Sequence, residues 1–228
     1  DTTDDVQKAA WKIGDLQART IGDDTYIFRC VSEAYKDKTN TSKNNALFLC
    51  DSVIPADIVN DGETEGIETL FFGTTNNYKT SLINEWLEEN KDSSAAGFTA
   101  INVGVDASYS GSTRKGAYSN FTASEFKKTN FQTSQYMKSQ LFVLSLEEAI
   151  NIKDYLWKFN NSNSDNADTQ IAPYCDSYWL RTPETGSDDK IYVVDLKNGN
   201  ISTRNVSATE QNNYSMTGIR PAFVIEQP

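Results

Sequence analysis

Histidine is absent from this chain of 228 residues. The commonest general base and the commonest metal ligand are therefore missing, and neither Ser-His-Asp nor Cys-His catalysis can be assembled within it. Cysteine is scarce too, with Cys30, Cys50 and Cys175 the only three. Without histidine, three thiols cannot build the usual four-ligand zinc site. No apolar run reaches the length of a transmembrane helix. Basic residues are the minority: 21 Lys and Arg stand against 32 Asp and Glu, a net charge of −11. Such a surface repels phosphate backbones and anionic lipid headgroups, which argues against nucleic-acid partners and membrane insertion. No secretory leader is read at the N-terminus, and the start Asp1-Thr2-Thr3-Asp4-Asp5 has the look of a mature or trimmed end.

What is present points to strands. Aromatics make up 11% of the chain and stand in for a modest aliphatic content. Leu16 to Ile21, Tyr26 to Ser32 and Ala46 to Val53 read as an N-terminal meander, with Gly22-Asp23-Asp24 as its first turn. A hairpin centred near Asn40 would set Cys30 opposite Cys50, so a cross-strand disulfide and a pair of buried thiols are both open. Val6 to Lys12 has the spacing of a short helix. Tyr78 to Glu89 reads as a longer one, with Leu82, Ile83, Trp86 and Leu87 at helical spacing and Ser81 or an earlier Thr as the cap; Trp86 is assigned to the core. Asp92 to Lys115 has no clear period and reads as a surface excursion. Ser145 with Glu148 forms a capping box before Ala149, Ile150 and Ile152. Asn160 to Gln170 is a polar loop. Tyr178 to Arg181, Lys190 to Leu196, Ile201 to Val206 and Gly218 to Ile225 read as late strands, with Asn198-Gly199 a hairpin turn. No linker or repeat divides the chain. One α+β domain over 1–228 is expected: a meander at about 13–55, a helical middle at about 76–160 and a C-terminal sheet at about 174–226.

Two blocks near the C-terminus each hold one Arg among apolar residues: Tyr178-Trp179-Leu180-Arg181-Thr182-Pro183 and Gly218-Ile219-Arg220-Pro221-Ala222-Phe223. An Arg in a core strand is costly unless its guanidinium finds partners. Arg181 and Arg220 are therefore read as structural, bonded to carbonyls or to an acid across the sheet, with anion binding the alternative. Trp179 is assigned to the core. Tyr174, Tyr178, Asn212, Asn213 and Tyr214 are the ligand-binding candidates. Tyr offers a rigid face for stacking, and Asn offers adaptable hydrogen bonds. Glu147-Glu148 is explained by a helix N-terminus. Neighbouring carboxylates such as Asp188-Asp189 do not flank a cleft as glycosidase pairs must. Asp165-Asn166-Ala167-Asp168 lacks the alternating spacing of a calcium loop. No metal, cofactor or catalytic residue is expected.

Lys12-Ile13-Gly14-Asp15, Ala46-Leu47-Phe48-Leu49, Glu85-Trp86-Leu87, Phe142-Val143-Leu144-Ser145, Tyr192-Val193-Val194-Asp195 and the two Arg blocks occur in a fixed order along nearly the whole chain. That series resembles uncharacterised domains in exported and surface proteins of gut-dwelling gram-positive bacteria. These in turn resemble the C-type-lectin-like superfamily, which includes formylglycine-generating enzymes and retroelement variable proteins. The resemblance implies a C-type-lectin-like mixed fold with antiparallel sheets, two main helices and long polar loops. Its ligand face would be built from Asn160 to Ser177, Glu184 to Asp189 and Val206 to Thr217. The Glu-Pro-Asn and Trp-Asn-Asp motifs of calcium-dependent lectins are missing, as is a late cysteine pair. The expectation is thus a non-catalytic extracellular or cell-surface binding domain for a glycan or a host or microbial surface protein. An enzyme of the formylglycine-generating or carboxylate type and a structural module are the alternatives.

Overall fold

The turn Gly22-Asp23 folds β1 (Leu16–Ile21) back onto β2 (Asp24–Tyr35), pairing Ile21 with Asp24. Gly22 sits at φ +61, where side chains are strained, and a Cβ there would meet Asn90 Oδ1 at 3.2 Å. In the computed structural model the described residues are 9–54, 72–91, 98–106, 108–110, 121–153, 175–196, 198–206 and 216–228. β2 also pairs with β3 (Asn45–Cys50), all six of whose residues are buried. β3 in turn pairs with β13 (Pro221–Glu226), and β13 with β8 (Phe142–Val143). The result is a five-stranded antiparallel sheet in the order β1-β2-β3-β13-β8. First and last parts of the chain thus lie side by side at its centre. Phe48 and Phe223, directly opposite across β3 and β13, stack at 5.2 Å; Phe28 and Phe98 add edge contacts to Phe223. Such aromatic pairs supply more than their area alone.

A second sheet, β11-β10-β9-β12, joins β9 (Cys175–Pro183), β10 (Lys190–Asp195), β11 (Ile201–Asn205) and β12 (Met216–Gly218). β12 runs parallel to β9, and the other pairs are antiparallel. Gly218 to Ile225, read above as one strand, instead changes sheets. β12 ends at Gly218, Ile219 bridges to Ile54, and β13 begins at Pro221 in the larger sheet. Two-stranded ladders join β4 (Ile101–Gly104) to β7 (Tyr136–Ser139) and β5 (Ser108–Tyr109) to β6 (Phe131–Gln132). Among the described residues the α-helices are α1 (Leu82–Asn90) and α2 (Leu146–Asn151). Ser81 accepts from Asn84 N at 3.1 Å to cap α1, after a 3-10 turn at Tyr78–Thr80. Leu82 is on the exposed side of that helix.

The fold is therefore mostly β, which corrects the α+β, C-type-lectin-like expectation. Among the described residues two short α-helices are appended to sheets that carry the core. The span from 101 to 143, taken for a helical middle with a surface excursion, contributes five short strands. Ile101, Val103, Val105 and Tyr109 in it are buried. Strands of two to four residues are too brief to display an alternating pattern, which is why the sequence does not announce them. Residues 9–12 of the helix expected at Val6 to Lys12 are non-helical, and its start lies outside the described residues.

Candidate functional site

Tyr35 is the last residue of β2. The register of β2 against β3 shifts twice on the way to it, between Cys30 and Ser32 and between Ser32 and Tyr35. Shifts of this kind re-aim the side chains of a strand. The Tyr35 hydroxyl donates to Glu148 Oε1 at 2.6 Å. Glu148 is held from its own side by the capping box of α2. Ser145 N donates to Glu148 Oε2 at 2.9 Å, and Glu148 N donates to Ser145 Oγ at 3.1 Å. From the second sheet Arg181 brings its Nη2 to 2.7 Å from the same carboxylate. Its Nε donates to Gly104 O at 2.8 Å and its Nη1 to Val143 O at 2.6 Å, while Phe142 lies against the guanidinium, 5.4 Å from Cζ to ring centre. One fully buried cation thus ties β9 to β8, β4 and α2.

Burial pushes the Glu148 pKa up, but the Arg181 charge and the hydrogen bonds from Arg181, Tyr35 and Ser145 outweigh it and hold the carboxyl below its usual range. Burial, reinforced by the Glu148 charge, pushes the Tyr35 phenol well above its usual value. Burial likewise opposes the Arg181 charge, yet Glu148 more than restores it. At neutral pH the trio is a carboxylate, a neutral phenol and a guanidinium.

Tyr35 and Glu148 of this trio border a cleft of about 280 Å³. Ser32, residues 34–38 and Thr41 form one wall, Asn151 and Ile152 of the α2 end the other, and Tyr35, Leu47 and Glu148 are buried beneath. Lys38 Nζ pairs with Glu147 at 3.1 Å, joining the two walls. Asp37 accepts from Asn102 N at 2.8 Å and from Thr39 N at 2.7 Å. Burial alone raises the Asp37 pKa, and these donors bring it below the ordinary value. Among the described residues no group of three or more Cys, Asp or Glu side chains gathers as a metal site.

None of the described residues singled out from sequence for binding lines this cleft. Tyr178, expected on a ligand face, is 1% exposed with its ring 5.2 Å from Arg220 Cζ. β9 has neighbours on both sides, and this stretch of it is buried on both faces, so Tyr178 has no route to solvent. Tyr174, Asn212, Asn213 and Tyr214 lie outside the described residues. Arg220 is fully buried and donates from Nε to Cys50 O at 2.7 Å. Trp86 and Trp179 are buried, Trp179 with an edge contact to Phe72. Glu184 to Asp189, assigned to the ligand face, is a turn tied down by Asn76, whose Nδ2 donates to Ser187 O at 2.6 Å and Lys190 O at 3.0 Å.

Cys30 and Cys50 are free, buried thiols, so the disulfide alternative is set aside. The hairpin is centred as expected near its loop, where Tyr35 faces Asn45, but the two register shifts leave Cys30 opposite Phe48 and Cys50 opposite Phe28. Burial pushes the thiols up, Cys30 to about 11 and Cys50 to about 12, so both are poor nucleophiles.

Sequence reasoning missed Tyr35 altogether and saw in Glu148 only a helix cap. The available signal was indirect: a core Arg demands an acid, and a capping-box Glu is an acid held in place. Residues 53–227 match the model of a family described as a domain of unknown function, DUF6273. The chain belongs to the DUF6273 family. Arg181, Glu148 and α2 lie within the DUF6273 match, whereas Tyr35 and the wall from 32 to 41 precede it. No curated protein and no solved structure matches the chain.

Proposed function

We propose that this chain is a non-catalytic binding module that holds a glycan in the cleft between residues 32–41 and α2, as part of an exported or cell-surface protein. The supporting observation is the state of Glu148. It is the carboxylate at the base of the cleft, and it is saturated by Arg181, Tyr35 and Ser145. A general acid or base needs a pKa near working pH and a proton free to move. Glu148 has its pKa driven the other way. A rigid base with hydroxyl, amide and ammonium groups around it suits recognition instead. The cell-surface setting rests on the resemblance stated above.

The test is binding of the labelled chain to a broad glycan array, compared with Ala34→Trp. Ala34 lines the cleft from its exposed rim, so a Trp there fills the space without entering the core. Reproducible binding to related glycans, lost in Ala34→Trp, supports the reading. Binding that survives Ala34→Trp but is lost in a Tyr174→Ala, Tyr214→Ala double variant moves the site to the late loops. Absence of any glycan binding turns the search to a protein ligand.

A further inference from the structure

Each charged side chain lining the cleft has an ion-pair or hydrogen-bond partner, with one exception. Glu148 is taken by Arg181 and Tyr35, Lys38 by Glu147, and Asp37 by Asn102 and Thr39. Lys36 lines the same cleft, is half-buried, and has no ion-pair or hydrogen-bond partner for its ammonium among the described residues. From this juxtaposition we infer that the cleft selects a singly charged acidic sugar, a hexuronate unit whose carboxylate meets Lys36 Nζ. The inference rests on the binding reading above and names the ligand class for that site.

Size and lining agree with it. A cleft of about 280 Å³ is at the lower end of small-molecule sites, room for one sugar ring rather than a chain. Ser32, Thr41 and Asn151 offer hydroxyl and amide groups to the edge of a ring. A lone Lys is a point charge matched to a monoanion, whereas phosphate dianions usually recruit Arg forks or helix N-termini. The net charge of −11 opposes polyanions, so the attraction has to be local.

The experiment is titration of the full chain with D-glucuronate and D-glucose, followed by heteronuclear NMR, in wild type, Lys36→Gln, Lys36→Glu and Ala34→Trp. D-Glucuronate is expected to bind about tenfold tighter than D-glucose, the worth of one charge-assisted hydrogen bond. Lys36→Gln should bring the two sugars level, Lys36→Glu should abolish glucuronate binding, and Ala34→Trp should abolish both. Raising ionic strength from about 0.01 M to about 0.15 M should weaken glucuronate alone. Unchanged melting temperatures in the Lys36 variants exclude misfolding as the cause. Equal affinity for the two sugars, or glucuronate binding indifferent to Lys36→Gln, overturns the inference while leaving a sugar-binding cleft in place. No perturbation of cleft residues by either sugar overturns it too, and array binding lost in Ala34→Trp would then preserve the broader reading with another ligand.

Discussion

At the scale of single residues, the Tyr35–Glu148–Arg181 trio dominates. Removing one partner of a buried ion pair leaves the other uncompensated, so Glu148→Gln is expected to cost about 3 kcal/mol in chemical denaturation. The pH dependence has a definite sign. Because the folded pKa of Glu148 is depressed, its contribution is complete above the unfolded value of about 4.3 and fades as pH falls through the folded value. Wild-type stability should therefore drop below about pH 4 more steeply than that of Glu148→Gln; parallel curves would assign the acid sensitivity to other groups. The thiols make a second residue-scale prediction. Cys30 and Cys50 should react slowly with a thiol reagent in the native state and completely in denaturant, and reductant should leave the melting temperature unchanged. The part of the site visible beforehand was its constraints rather than its contacts. Arg181 needed an acid and Glu148 was fixed by its cap, but no local pattern in the sequence couples two residues 33 positions apart. Tyr35 was hidden for a different reason: two register shifts decide where it points, and register is a tertiary property.

Among the elements, those with strong end signals were readable. The capping box of α2 forms as read, Ser81 is the one of the two cap alternatives that caps α1, and β1 occupies Leu16–Ile21 as expected. Elements without such signals were not. The strands between 101 and 143 are short and joined by irregular connections, and their stability comes from packing on the core rather than from local preference. Two substitutions test the end signals. Ser145→Ala should lose about 1 kcal/mol for the cap, and more if loosening Glu148 also relaxes Arg181. Gly22→Ala should lose about 1 kcal/mol, since both the left-handed backbone and the nearby Asn90 oppose a Cβ. Thermal or urea melts of each variant measure these losses directly.

For the whole molecule, the decisive feature is the order β1-β2-β3-β13-β8. The family match begins at residue 53, yet β1, β2 and β3 all precede it. Removing them would strip one side of β13 of its partner strand and uncover Phe223. A chain of residues 53–228 alone is expected to lack a cooperative melt and to aggregate through the open edge. A sharp two-state transition in that fragment would show that the first three strands are dispensable.

The cleft adds a consequence of its own. One wall comes from the segment ahead of the family boundary and the other from α2 within it, with Lys38 and Glu147 clasped between them. On the proposed binding reading, recognition is a two-part code. Exchanging residues 36–41, while leaving Tyr35, Glu148, Arg181 and the sheet they brace untouched, should change which ligand is accepted without rebuilding the body that holds it.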